Sequence, residues 1–207
     1  MLCWTLKYLD GRIITRALCD YKGYKPGSED DSKLVKELHD RFEEADILIA
    51  HNGDRFDIKE SNKRFIYHEL KPPAPYKTVD TLKIAKRHFK FISNKLDDLG
   101  EFLGAGAKVK HPGFDMWLGC KAGDPASWNL MKKYNRQDVI LLEAVYHKLK
   151  PWHSTHPSVS DFTNTCQACG EVEILTTRSY MTKRGEKNRG QCPCGQWREI
   201  KQLTTVK

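Results

Sequence analysis

The chain reads as an α/β protein, a mixed sheet flanked by helices, with a small metal-stabilised segment at its C-terminus. Three observations predict this. Two short β-branched runs surround a turn dipeptide near the start. Short apolar runs then alternate with helical periodicity as far as Lys150-Pro151. Four of the seven cysteines crowd together at positions 166, 169, 192 and 194. Strands that come first and later alternate with helices are the pattern of a two-layer α/β domain.

Each element follows from its residues. WTLKYL and RIITRAL flank Asp10-Gly11, a hairpin turn signal. Ser28 is placed as the N-cap of a helix with acids in its first turn, and Leu34, Val35, Leu38, Phe42 and Ala45 give that helix one apolar face. DILIA is short, apolar and β-branched, as a strand buried on both faces should be. From Asp57 a second helix runs to about Glu69, ended by Lys-Pro-Pro-Ala-Pro. KTVDTLKIAKRHF is a brief strand leading into a helix. SNKLDDLGEFLG is a capped helix with Leu96, Leu99 and either Phe102 or Leu103 inward, and GAGAKVKHPGF is loop. Asp124-Pro125 opens a helical stretch, read as one helix or two, that lasts to Lys150. The expected organisation is an α/β domain over 1–155, a linker rich in Pro, Ser, Thr and His over 156–163, and a cysteine domain over 164–207.

Composition narrows the function classes. With 207 residues, 39% of them hydrophobic, the chain can bury a sizeable core. No apolar run approaches the ~18 residues of a membrane span, and the start lacks the basic, apolar and small-residue zones of a signal peptide, so a cytoplasmic location and no membrane partner are expected. The net charge of +8 suits a polyanionic partner. An odd cysteine count with two close pairs argues for bound metal in a reducing compartment.

Two groups of residues carry chemistry. Asp57 follows a strand by a few residues, and ligand sites of open α/β sheets gather at strand ends. Tyr134 and Asp138 lie four residues apart, on one face of a helix. Carboxylates that converge with a phenol suit phosphodiester hydrolysis, because hard cations such as Mg²⁺ take oxygen ligands and two of them can clamp the attacking and leaving oxygens. Asp80 is read as the N-cap of the helix after it, with a place in the metal cluster as the alternative. His51 is read as a loop residue, with a supporting place beside the metal ligands as the alternative. In the second group, Cys166-Gln-Ala-Cys169-Gly170 and Cys192-Pro-Cys194-Gly195 are paired knuckles whose four thiolates would close a tetrahedral Zn²⁺ site, with His153 or His156 as a stand-in for one sulfur. Between the knuckles Arg178, Lys183, Arg184, Lys187 and Arg189 surround Tyr180, which reads equally as a phosphate-holding, base-stacking surface or as a solvated hairpin tip. Lys83, Lys86, Arg87, Lys90 and Lys95 form a weaker candidate surface of the same kind.

HNGDRFD resembles the second motif of the DEDD-type 3′–5′ exonucleases of the RNase H-like superfamily, Asn-x-x-x-Phe/Tyr-Asp, with Asn52, Phe56 and Asp57 at the matching positions. YNRQD resembles the third motif in its tyrosine form, with Tyr134 and Asp138. The run from SNKLDDLGEFLG to YHKLKPW resembles phage- and bacterium-encoded members that end in a zinc ribbon. This resemblance implies an RNase H-like fold and a two-metal exonuclease using Mg²⁺ or Mn²⁺. Asp57 and Asp138 would then be ligands, Tyr134 would position water, Asn52 and the ribbon's basic loop would contact DNA or RNA, and the ribbon would hold a structural Zn²⁺. It also implies a bacterial or phage-infected cell. The family's first motif, Asp-x-Glu on the first strand, is not found near the N-terminus. The resemblance therefore implies that an N-terminal strand of the sheet is missing from this chain. A longer polypeptide or a partner would supply it, or the chemistry has been lost. The alternatives to an enzyme are a nucleic-acid-binding protein without catalysis, and an accessory subunit that completes its fold on a replication or recombination protein.

Overall fold

The computed structural model describes residues 1–8, 11–106, 113–153, 156–157, 166, 169, 171, 176–182 and 185–200. Strands β1 (Cys3–Lys7) and β2 (Ile13–Ala17) form an antiparallel hairpin with Lys7 opposite Ile13. The turn closes through hydrogen bonds from Tyr8 N–H to Arg12 C=O and from Gly11 N–H to Tyr8 C=O, while Leu9 and Asp10 lie outside the described residues. Helix α1 (Ser32–Glu43) follows. It starts three residues later than a Ser28 cap requires. Ser28 is instead in a turn, its N–H donating to Lys25 C=O at 2.9 Å. Asp31, the residue before the helix, spends its carboxylate elsewhere: it is fully buried and accepts from Arg64 Nε at 2.9 Å, from His68 Nε2 at 2.7 Å and from the Met1 amino group.

Strands β3 (Ile47–Ala50) and β4 (Lys77–Asp80) pair in parallel, Ala50 opposite Asp80, so both end at the same level. Between them lies helix α2 (Asp57–Tyr67). All four β3 residues are only half-buried, not covered on both faces as their apolar run implies, because β3 belongs to a two-stranded sheet separate from β1-β2. Helices α3 (Thr81–His88) and α4 (Leu96–Phe102) come next. In α4, Leu96 and Leu99 are buried and Leu103 beyond it is half-buried, while Phe102 is 74% exposed.

Helix α5 (Phe114–Ala122) lies where no helix is expected from the sequence. Helix α6 is one continuous run, Pro125–Leu149. Asp124 caps it, accepting from Ser127 N–H at 2.8 Å and Ser127 Oγ at 2.6 Å. Gly119 is obligatory between the two helices, since a Cβ there would sit 2.1 Å from Ser127 Oγ. The main core joins Trp4, Leu34, Val35, Leu38, Phe42, Phe65, Met116 and Trp128, and Trp4 Nε1–H donates to Leu34 C=O at 3.0 Å. Each apolar side chain so buried contributes roughly 1.5–3 kcal/mol.

The chain divides into compact units at Met1–Tyr146 and His147–Lys207. In the second unit, β5 (Thr176–Thr182), β6 (Gly185–Gln191) and β7 (Trp197–Ile200) form an antiparallel sheet in that order. Residues 158–163 of the expected linker, the first two residues of the expected cysteine domain, Gly170, and Lys183 and Arg184 of the expected basic loop lie outside the described residues. Among the described residues no helix is long and apolar enough to cross a membrane.

Candidate active site and metal centre

The level ends of β3 and β4 create the first part of the site. The chain leaves Ala50 through His51 and Asn52, and Asn52 takes a left-handed conformation (φ 64°) that asparagine tolerates better than most residues. This bend is held from outside: Asn52 N–H donates to Asp80 Oδ1 at 2.8 Å. The same oxygen accepts Leu82 N–H at 3.0 Å, so Asp80 both caps α3 and fixes the Asn52 turn. Gly53 then passes so close to the strand that a Cβ would lie 2.2 Å from Ala50 Cβ and 3.7 Å from Asp57 Oδ2. Phe56 N–H returns to Asn52 C=O at 3.0 Å, and Ile58 N–H to Gly53 C=O at 3.0 Å, which seats Asp57 as the first residue of α2. Desolvation raises the Asp57 carboxyl above its ordinary value, its own backbone N–H opposes this, and the negative charge of Asp80 adds to the rise.

His51 is more than a loop residue. Its Nε2 faces Asn94 C=O at 2.9 Å, and its Nδ1 lies 2.9 Å from Thr81 Oγ1. A carbonyl only accepts, so Nε2 carries a proton. The ring ties the end of β3 to the start of α3 and to the loop before α4.

The second part lies on α6. Tyr134 is hydrogen-bonded to Asp138 one turn further along the helix. Burial raises the Tyr134 phenol to about 12, with the charge of Asp138, the hydrogen bond to it and the charge of Asp97 adding to the effect. Helix α4 brings Asp97 there by packing closely on α6: a Cβ at Gly100 would lie 2.6 Å from Leu141 Cδ1. Asp97 and Asp80 are the acids that motif spacing alone does not single out. What marks them is position: Asp80 caps α3 and Asp97 lies in the first turn of α4.

The structure thus joins Asp57 to Asp80 and Asn52, and Tyr134 to Asp138 and Asp97. These hard oxygen donors are of the kind Mg²⁺ or Mn²⁺ takes. Among the described residues, no three carboxylates have ligand atoms within 4.8 Å of one another; the four cysteines do. The described acids are therefore of the right type for such ions without forming a complete cage.

The cysteines fit their ion better. Cys166, Cys169, Cys192 and Cys194 all place Sγ within 4.8 Å of one another, with no histidine in the group. Cys166 and Cys194 sulfurs are 3.7 Å apart and those of Cys169 and Cys192 3.3 Å. A tetrahedron with Zn–S of ~2.3 Å needs S···S of about 3.8 Å. The second knuckle is a tight turn, Cys192 N–H donating to Gln196 C=O at 2.9 Å and Gly195 N–H to Cys192 C=O at 2.8 Å. The one-residue spacing of Cys192 and Cys194 is thus compatible with four sulfurs on one centre. Of the residues singled out between the knuckles, the backbones of Arg178 and the aromatic Tyr180 lie in β5, opposite Arg189 and Lys187 of β6.

A family model for the RNase H superfamily matches residues 8–150, more than half of the chain and all of the Asp57, Tyr134 and Asp138 positions. No curated protein matches the chain.

Proposed function

The chain belongs to the RNase H superfamily, and from that premise we propose that it is a metal-dependent 3′–5′ exonuclease of the DEDD type, tyrosine form, hydrolysing phosphodiester bonds of DNA or RNA. The observation that carries the reading is the Tyr134–Asp138 hydrogen bond on one face of α6, within the matched segment that also holds Asp57 at the end of β3. Two divalent cations, when bound, would supply the positive charge that stabilises the attacking and leaving oxygens of an in-line displacement. Asp57 and Asp138 would hold them. Tyr134 stays a neutral phenol at physiological pH, because its pKa is pushed up to about 12. In this role it is a hydrogen-bonding group that orients water. Asp138 accepts from this phenol and fixes its direction. Asp80 acts on Asp57 through its negative charge and by holding the Asn52 turn. Asn52 contacts the substrate strand, and Arg178, Tyr180, Lys183, Arg184, Lys187 and Arg189 of the C-terminal unit hold its backbone. That unit carries a structural Zn²⁺ on Cys166, Cys169, Cys192 and Cys194.

The test is cleavage of 3′- and 5′-labelled single-stranded and duplex DNA and of single-stranded RNA, with Mg²⁺ or Mn²⁺ and with EDTA. We expect laddering from the 3′ end that needs the metal and falls at least ~100-fold in Asp138→Asn, a loss on the scale of removing one group that stabilises the transition state. Cleavage unchanged in that variant would sink the site assignment.

A second reading is a nucleic-acid-binding protein, or an accessory subunit, with this body and no catalysis. It is favoured by the sequence, in which no Asp-x-Glu occurs at any position. Tight strand binding with no product under any metal condition would establish it in place of the first.

A further inference from the structure

The segment between α3 and α4 carries apolar side chains that the core does not use. Ile92 is fully exposed and Phe102 is 74% exposed. Phe91 stacks on Phe89 with ring centroids 4.9 Å apart, and Phe102 meets Phe91 edge to face at 5.2 Å. Lys86, Arg87, Lys90 and Lys95 neighbour these residues in sequence and are all exposed, and among the described residues no ion pair joins them to a carboxylate. Lys83, by contrast, is spent on Asp54 at 2.5 Å. The cluster is held in shape. Phe89 N–H donates to Ala85 C=O at 3.0 Å, Lys95 N–H to Ser93 Oγ at 3.3 Å, and Ser93 Oγ–H to Asp98. His51, next to Asn52 at the acidic site, donates to Asn94 C=O in the same segment.

We propose that the Phe89–Phe91–Phe102 cluster, with the exposed Ile92 and the neighbouring Lys86, Arg87, Lys90 and Lys95, is a base-stacking platform that receives single-stranded nucleic acid and presents its end to the site beside Asn52 and Asp57. Charge decides the class of partner. An apolar protein surface has no use for four unpaired cations, whereas a nucleic-acid strand brings a phosphate for each cation and a π-face for each ring. Stacking is blind to base identity, so the platform takes any sequence and disfavours a stiff duplex, whose bases are already stacked. Strand-end delivery rests on the nuclease reading; strand binding does not.

The experiment separates the two. Binding of labelled oligothymidylate, oligouridylate and an abasic strand of equal length is measured by fluorescence anisotropy in EDTA, where no cleavage occurs. The wild type is expected to prefer the base-bearing strands. Phe102→Ala is expected to weaken oligothymidylate binding roughly five- to 150-fold, the range seen when an aromatic that stacks a base is truncated, and Ile92→Ala, which removes an aliphatic contact, by a smaller factor. The same variants should leave abasic binding unchanged. Both side chains are exposed, so thermal unfolding should match wild type and a folding defect is separable from a binding one. Equal affinity for base-bearing and abasic strands, wild-type affinity in both variants, or no strand binding by the wild type would each overturn the platform. If the variants lose binding as expected but the wild type never shortens the strand with Mg²⁺, the platform stands and the exonuclease reading falls.

Discussion

At the residue scale, Asp31 makes the clearest demand on pH. It is fully buried. Burial alone would raise its carboxyl, but hydrogen bonds from Arg64, the Met1 amino group and His68 prevail and hold it at about 2 against an ordinary 3.8. A depressed folded-state pKa contributes stability that is complete above the unfolded value, near pH 4, and is lost as pH falls towards 2. The size is about 2 kcal/mol. Urea midpoints of the wild type should therefore fall between pH 4 and pH 2. Asp31→Asn keeps the shape but leaves the Arg64 guanidinium without its counter-charge, and should cost about 3 kcal/mol at pH 7. The variant should also lack the wild type's acid limb in that window. An acid limb that persists in the variant would assign it to other carboxylates. Asp80 illustrates a different point. One of its oxygens serves two backbone N–H groups, so its first duty is the local fold, and it acts on Asp57 both by its charge and by the turn it fixes.

At the element scale, α5 and α6 meet through one glycine and one capping residue that share a partner. Ser127 Oγ lies where a Gly119 Cβ would intrude, at 2.1 Å, and it also donates to Asp124 at 2.6 Å. Gly119→Ala should displace Ser127 and cost about 1–3 kcal/mol by overpacking. Asp124→Ala should cost about 1 kcal/mol by loss of the cap. Because both act on Ser127, the double variant should lose less than the sum of the two in urea unfolding. Simple additivity would show that the cap tolerates the shift. These helices also show what was legible beforehand. The hairpin, both parallel strands, the helix from Asp57 and the Asp124-Pro125 start follow from local signals, and all are observed. Helix α5 was hidden because Gly119 lowers its helical propensity and its apolar residues make no single stripe; its reason for being helical is tertiary. The Ser28 cap failed for a related reason. The acids after it were read as helix dipole partners, while Asp31 is claimed by Arg64 and His68, more than thirty residues away. In the candidate site, motif spacing located Asp57, Tyr134 and Asp138. Asp80 was legible in TVDTL as the cap of α3, and it is that cap; its hold on the Asn52 turn, and the contacts of Asp97 and His51, come from strand register and helix packing, which no local window contains.

At the scale of the whole molecule, the two compact units rest on different physics. Met1–Tyr146 has an aromatic and aliphatic core of its own, whereas in His147–Lys207 the only cluster of buried apolar side chains among the described residues beyond α6 is the cysteine centre itself. Burial raises the Cys192 thiol to about 12 in the absence of a cation. Four sulfurs packed within 4.8 Å therefore need a metal to become thiolates together. If that centre is what orders β5, β6 and β7, the chain should carry one Zn²⁺ per molecule by elemental analysis. Chelation should then abolish the slowly exchanging amides of residues 176–200 and leave those of the Trp4–Leu34–Phe65 core protected. Thermal unfolding should show one metal-dependent and one metal-independent transition. Cys192→Ser should reproduce the chelated state without any chelator, since losing one of four ligands opens the tetrahedron. Full protection of 176–200 in metal-free protein would instead mean that the β5–β7 sheet is stable by its own pairing, and that the four cysteines serve another purpose, such as reversible thiol chemistry.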